Sequence, residues 1–247
     1  MIYLKSPAEI RVMRKNGAIL KAALEKARDM ATPGAVTKDI DAAIEKLILD
    51  AGAKPAFKGF QGYPASTCIS INEEVVHGMP TERTLKEGDI CGIDIGVWKD
   101  GYYTDGARTF AIGKISADAK KLLDVTSEAL ERGIAQARAG RRLTDISHAV
   151  ESYATGMGYA VVKTLVGHGI GQQMHEEPQV PNFGPPDQGP ELEEGLVIAI
   201  EPMVNIGESD VFTKEDGWTI VTADKSLSAH FEDTVAITQD GPEILTR

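Results

Sequence analysis

Cysteine is nearly absent from this chain. Among 247 residues there are two, Cys68 and Cys91, each set in an apolar, strand-like run (STCISI and DICGIDI) and not in a CxxC. A disulfide framework is therefore not expected, and small buried thiols in a reducing compartment are. No apolar run approaches the ~20 residues that span a bilayer. The opening MIYLKSPAEI has no basic segment followed by an apolar stretch, so it does not read as a secretory signal, and the cytoplasm is the expected location. Positive charge is scarce: 26 Lys and Arg stand against 37 Asp and Glu, a net charge of −11. A broad nucleic-acid-binding surface is not expected from that balance. There is no GxSxG nucleophile elbow. Gly167-His168-Gly169-Ile170-Gly171 is GxGxG rather than GxGxxG and has no βαβ unit around it, which argues against a dinucleotide loop. Low-complexity stretches and flexible interdomain linkers are also missing.

The chain is 42% hydrophobic, enough for one large domain or for two small halves sharing a core. Helix-like and strand-like stretches are mixed, which predicts an α+β protein. Ser6-Pro7-Ala8-Glu9 is a helix start with a capping box, and helical spacing of Ile10, Met13, Gly17 and Leu20 continues to about Met30. A second helix is predicted from about Thr37 to Asp50, ended by Gly52. Residues 53–66 read as loop, Thr67 to Ile71 as a strand, and Asn72 to Pro80 as the exit from it. Ile93 to Phe110 (IDIGVWKDGYYTDGARTF) reads as a β-hairpin turning at Asp100-Gly101, because glycine tolerates the positive φ of a tight turn. Further helices are predicted at about Ala117 to Ala137 and Thr144 to Thr155. Strands follow at Val161 to Val166, Val197 to Ile200, Trp218 to Val221 and Thr234 to Thr238.

The second half repeats the first. Gly34, Asp39, Ile40, Ala43, Glu45 and Gly52 recur as Gly140, Asp145, Ile146, Ala149, Glu151 and Gly158, at a constant shift. LKEGDICGID recurs as LEEGLVIAIE, so Asp94 falls on Glu201, and TFAI recurs as TVAI, with Asp105 and Glu232 lying just before these runs. The repeats span about residues 6–112 and 117–238, within one domain over 1–247. Each reads as two helices followed by antiparallel strands. Hairpin parity puts Asp94 and Asp105 on one face, and a pseudo-two-fold axis would bring Glu201 and Glu232 to the same centre. Alone, Asp94 and Asp105 read equally well as solvated surface acids. Four convergent carboxylates do not, because they cannot all stay anionic without a strong counter-charge. Two divalent ions would balance them, and two-metal hydrolases use such a pair to polarise a carbonyl and activate a water.

A nitrogen ligand would shift the preferred ions toward Mn²⁺, Fe²⁺, Co²⁺ or Zn²⁺. Of five histidines, His168 is the best candidate, since glycines on both sides allow close approach; His77 is next. His148 is expected on a helix surface. His230 lies two residues before Glu232 and is expected either behind the ligands or exposed.

Taken together, STCISINEEVVHGMP, GIDIGVWKDGYYTDGARTF, GHGIGQQMHEEPQVPNFG, AIEPM and WTIVTADKSLSAHFEDTVAIT resemble the type I methionine aminopeptidases over nearly the whole chain. The resemblance implies the duplicated pseudo-two-fold "pita-bread" α+β fold, an antiparallel sheet with flanking helices. It implies five metal ligands at Asp94, Asp105, His168, Glu201 and Glu232. Asp105 and Glu232 would bridge two ions, Asp94 would hold one, and His168 and Glu201 the other. Glu201 would also be the general base toward the attacking water. His175 would hydrogen-bond the scissile carbonyl or its oxyanion, and His77 the peptide nitrogen. The methionine side chain would enter a pocket at Phe57, Phe60, Tyr63, Cys68, Met174 and Trp218, with His77 and His175 also contacting substrate. Phe57, Gln61, Gly96 and Met174 depart from the enterobacterial form and bear on pocket shape.

The implied activity is removal of the N-terminal methionine from nascent proteins with a small second residue. The implied partners are the nascent N-terminus and the ribosome, with no nucleic-acid specificity and no membrane, and the enzyme is expected to be a monomer. A bacterial, single-domain form without a zinc-finger-like extension is the expectation, and the 30 residues between Glu201 and Glu232 leave no room for the type II helical insert. Two rivals stand beside this reading. One is an Xaa-Pro aminopeptidase or prolidase of the same fold. The other is a non-catalytic peptide-binding relative, against which the intact ligand residues argue.

Overall fold

A computed structural model describes residues 1–247. Two helices lead into paired strands twice along the chain. Ser6 caps α1 (Pro7–Met30): its Oγ accepts the Glu9 N–H, and the Glu9 carboxylate accepts the Ser6 N–H. α1 and α2 (Thr37–Asp50) bury Leu20, Leu24, Ile40, Ile44 and Ile48 against Ile93, Ile95 and Val97. In the second half, α3 (Ala117–Gln136) and α4 (Leu143–Gly156) set Leu130, Ile134, Leu143 and Ile146 against Ile198, Ile200, Val235 and Ile237. Apolar residues at helical spacing thus meet apolar residues at strand spacing, which is the arrangement each periodicity dictates.

The hairpin strands are Ile90–Lys99 and Tyr102–Ala111, paired from Ile90↔Ala111 to Lys99↔Tyr102. Asp100 (φ 52°) and Gly101 (φ 87°) make the two-residue turn, both in the left-handed region that such turns demand. In the second half Val197–Ile200 pairs antiparallel with Asp233–Thr238, and residues 201–232 intervene. These two strands lie at the centre of a five-stranded sheet, flanked by Gly241–Ile244 and by Gly167–Gly169, beyond which lies Glu176–Val180.

The halves are stitched together through reciprocal contacts. Glu232 and Ala107 exchange backbone hydrogen bonds of 2.9 and 3.3 Å. The Thr234 hydroxyl accepts the Asp105 N–H at 2.9 Å and donates to the Asp105 carbonyl at 2.8 Å. The Thr109 hydroxyl does the same for His230, at 3.0 and 2.8 Å.

Four segments differ from their sequence-based expectation. Residues 53–66, expected as loop, hold the short strand Lys54–Pro55, paired with the hairpin strand, and a 3-10 turn at Phe60–Gly62. The strand predicted at Val161 to Val166 is not formed: strand Ala160–Val161 ends at the first of these residues, residues 162–166 run without strand pairing through a bend, and the next strand is Gly167–Gly169. The strand predicted from Trp218 begins at Ile220, because the Asp216 carboxylate accepts the N–H groups of Trp218 and Thr219 and holds them in a turn. The exit segment after Ile71 contains a short strand, Glu74–Val76, which pairs with Ile220–Thr222. The Asp216 turn is local, whereas Glu74–Val76 depends on a partner strand far along the chain that three residues do not reveal by themselves.

Candidate metal centre

Asp94 and Asp105 lie on opposite strands of the hairpin. Asp94 is across from Ala107 and Asp105 across from Gly96, so the carboxylates are diagonal neighbours on one face. Glu201 follows the last residue of the Val197–Ile200 strand, and Glu232 precedes the strand that pairs with it. His168 lies in the neighbouring strand, opposite Ala199. All five residues line a single cavity of about 140 Å³. Donor atoms of Asp105, His168 and Glu232 lie within 4.8 Å of one another, and so do those of Asp94, His230 and Glu232. Glu232 belongs to both groups and stands between them.

The His168 Nε2 is 3.7 Å from a Glu201 oxygen and 4.0 Å from an Asp105 oxygen. Its Nδ1 lies 2.9 Å from the Gly169 carbonyl; a proton on Nδ1 makes that hydrogen bond and leaves the Nε2 lone pair facing the carboxylates. No Lys or Arg pairs with any of the four acids; their ion-pair neighbours are His168 and His230 alone. The nearby Arg108 is turned to Asp233, at 2.7 Å. Burial therefore acts on the acids without relief. It raises Asp94 to about 7, and it raises Asp105, Glu201 and Glu232 well above the carboxylate range, with mutual repulsion adding to the effect on these three. Burial lowers His168 to about 4, so its imidazole is neutral.

These residues fit divalent metal. Asp94 Oδ1 and Glu232 Oε1 are buried without a hydrogen-bond partner, in a protein where most other buried polar atoms have one. Buried acids without cations, together with neutral imidazole, are what a cation site presents before its ion is counted. Two overlapping donor groups sharing Glu232 suit two ions.

The predicted pocket residues are gathered in the same cavity. Phe57, Phe60, Tyr63, Cys68, Met174 and Trp218 line it beside the carboxylates. The Tyr63 hydroxyl lies 3.0 Å from the Thr67 and Gly78 carbonyls, and Tyr63 packs edge-on to Trp218 at 5.2 Å. Two of the departures from the enterobacterial form explain each other. A Cβ at Gly96 would lie 2.7 Å from the Ala56 Cβ and 2.8 Å from the Phe57 ring, so Phe57 occupies the room that glycine leaves. His77 and His175 are exposed at the mouth, His77 with φ 58°. His175 packs edge-on against His168 at 4.3 Å. Both also line a larger adjoining cleft of about 560 Å³, together with His168 and Glu201. His148 is exposed on α4. His230 is not exposed: it is 4% accessible and faces the acids. The sequence signal for it was present in its spacing from Glu232 but did not separate a buried from a surface position.

A duplicated α+β unit enclosing an acid-and-histidine centre defines a class of metal-dependent hydrolases, and the comparisons agree. The profile of metallopeptidase family M24 matches residues 11–239, and the chain belongs to that family. It is 51% identical to a methionine aminopeptidase of Clostridium perfringens, over 100% of this chain and 99% of that one. The crystal structure of a methionine aminopeptidase from Thermotoga maritima superposes with a TM-score of 0.99 at 44% identity, covering 100% of both chains. A prolidase from Pyrococcus furiosus shares the fold less closely, with a TM-score of 0.80 at 25% identity, and this chain covers 65% of its length. No helix is long and apolar enough to cross a membrane.

Proposed function

We propose that this protein is a methionine aminopeptidase that removes the N-terminal methionine from nascent polypeptides with a small second residue. The observation that supports the reading is a cavity of about 140 Å³ whose lining joins apolar side chains to the acid-and-histidine cluster, a size that suits one side chain beside the reacting centre. Phe57, Phe60, Tyr63, Cys68, Met174 and Trp218 would enclose the methionine thioether, which packs well against aromatic and sulfur groups.

Asp94, Asp105, His168, Glu201 and Glu232 would hold two divalent ions drawn from Mn²⁺, Fe²⁺, Co²⁺ and Zn²⁺. The ions, when bound, supply Lewis acidity toward the scissile carbonyl and a water acidified for attack at neutral pH. Glu201 takes the proton from the attacking water, its carboxylate facing the cavity. His175, at the mouth, donates to the developing oxyanion. His77, also at the mouth, contacts the scissile nitrogen and assists its protonation. The adjoining cleft of about 560 Å³, which shares His77, His168, His175 and Glu201 with the cavity, would take the residues after the methionine. We further read residues 1–247 as one catalytic domain, acting as a monomer in the cytoplasm on chains emerging from the ribosome.

Methionine release from Met-Ala-Ser is the test. Chelator-stripped protein is assayed before and after addition of Mn²⁺ or Co²⁺, with Met-Lys-Ser and Ala-Pro-Ala in parallel. Metal-restored cleavage of Met-Ala-Ser alone is expected. Cleavage of Ala-Pro-Ala instead would move the protein to the proline-specific branch, and no cleavage by folded, metal-loaded protein would favour a peptide-binding role.

A further inference from the structure

One buried group at the centre has no part in the mechanism above. The His230 side chain is 4% exposed, and its Nε2 has no hydrogen-bond partner. That atom lies 3.8 Å from a Glu201 oxygen and 3.7 Å from a Glu232 oxygen. Both distances exceed hydrogen-bond reach. They match those from the His168 Nε2 to its carboxylates, 3.7 and 4.0 Å. Two donors each about 2.1 Å from one ion lie roughly 3–4 Å apart, which is the spacing seen around both histidines.

The internal repeat places His230 more firmly than its distances do. The alignment that puts Thr109 on Thr234 also puts Asp105 on His230. The structure keeps that equivalence in its hydrogen bonds. Thr234 binds the N–H and C=O of Asp105, and Thr109 binds the N–H and C=O of His230, with near-identical lengths. Asp105 and His230 are thus the same position in the two halves, held by the same clamp. The Asp105 side chain enters the acid cluster from one half; that of His230 enters from the other.

We propose that His230 is a sixth donor to the metal centre, so that one imidazole serves each ion: His168 in the group with Asp105 and Glu232, His230 in the group with Asp94 and Glu232. The inference rests on the reading of the cluster as a two-metal site and adds to it. An imidazole on both sides makes the centre more selective for ions that favour nitrogen over hard cations such as Mg²⁺ or Ca²⁺. It also accounts for a buried nitrogen that would otherwise be left without a partner, at a desolvation penalty.

Paramagnetic proton NMR of the Co²⁺-loaded protein reads this directly, because each coordinated imidazole gives its own strongly shifted, solvent-exchangeable N–H resonance. Chelator-stripped wild type, His230→Gln and His168→Gln are titrated with Co²⁺, and uptake is measured by equilibrium dialysis. The wild type is expected to take up two ions and to give two such resonances. His230→Gln should lose one resonance and bind one ion at least about tenfold more weakly, while His168→Gln loses the other. A single wild-type resonance, unchanged in His230→Gln and lost in His168→Gln, would overturn the sixth donor and leave the five-ligand site intact. Failure of the wild type to take up Co²⁺ at all would overturn both. If His230→Gln does not fold, the count in the wild type decides.

Discussion

The two halves build the same corner of the site by different means. In the first half Asp94 and Asp105 sit on strands of ten residues each, joined by a two-residue turn. In the second half Glu201 and Glu232 flank strands of four and six residues, with residues 201–232 looping out between them. A tight hairpin fixes register locally, since turn type and parity leave little choice. The split pair has no such local constraint, and its register comes from neighbours: the adjoining strands, the Glu232–Ala107 backbone exchange and the two threonine clamps. The difference has a use. The loop-out carries Trp218 to the pocket, and it puts His230 where the hairpin puts Asp105.

Substituting the equivalent residues of the two halves gives the sharpest contrast. Glu201→Gln should lower kcat by about 10²- to 10⁴-fold, the usual weight of a positioned base, with circular dichroism unchanged. Asp94→Asn, its repeat partner, should act mainly by weakening metal uptake, so that excess Mn²⁺ recovers activity. Rescue of both by metal, or of neither, would mean that the halves do not divide the work in this way.

Removing metal should expose the shared burden of both halves. The native acids are held protonated to higher pH than in the unfolded chain, Asp94 to about 7 from 3.8. A raised acid pKa means that the native state binds more protons, so stability is lost as pH rises through the native value. His168 and His230, depressed to about 4 and about 3, act in the opposite sense only below about 6.5, where the unfolded chain takes up protons. Between about pH 6.5 and 8 the acids alone decide. The melting temperature of chelated protein should therefore fall across that window, by roughly 2–4 °C for each kcal/mol lost, and saturating Mn²⁺ should abolish the fall. A flat profile without metal would show that the acids are not strained.

Two glycines test the hairpin side. Gly96→Ala drives a methyl into Ala56 and the Phe57 ring; overpacking of this kind costs about 1–3 kcal/mol. The expected readouts are a lower melting temperature and a raised KM for Met-Ala-Ser, with Phe57→Leu in the same chain restoring part of each. Gly101→Ala strains a turn at φ 87° and should cost about 1 kcal/mol in urea unfolding, with kcat unaltered, because the ladder behind it holds Asp94 and Asp105 in register.

Much of this was legible beforehand. The Ser6 capping box, the limits of α1 and α2, the turn at Asp100-Gly101 and the facing of Asp94 and Asp105 follow from local rules, and each is where those rules predict it. The strand at Trp218 was misjudged by two residues, because the Asp216 turn competes with the ladder for the same N–H groups. Glu74–Val76 was unreadable because three residues carry no periodicity of their own. The burial of His230 was invisible for a related reason: its side chain lies on a three-residue strand whose partners come from distant segments.

What the amino-acid sequence determined by itself was the set of elements, their duplication and the chemical types brought to the centre, because helical and strand periodicity, caps and turns act over a few residues. What only the tertiary structure decided was the geometry between the halves: which acids share an ion site, and the entry of His230 opposite Asp105. Those depend on contacts between segments more than a hundred residues apart, where packing and reciprocal hydrogen bonds, rather than local preference, select one arrangement.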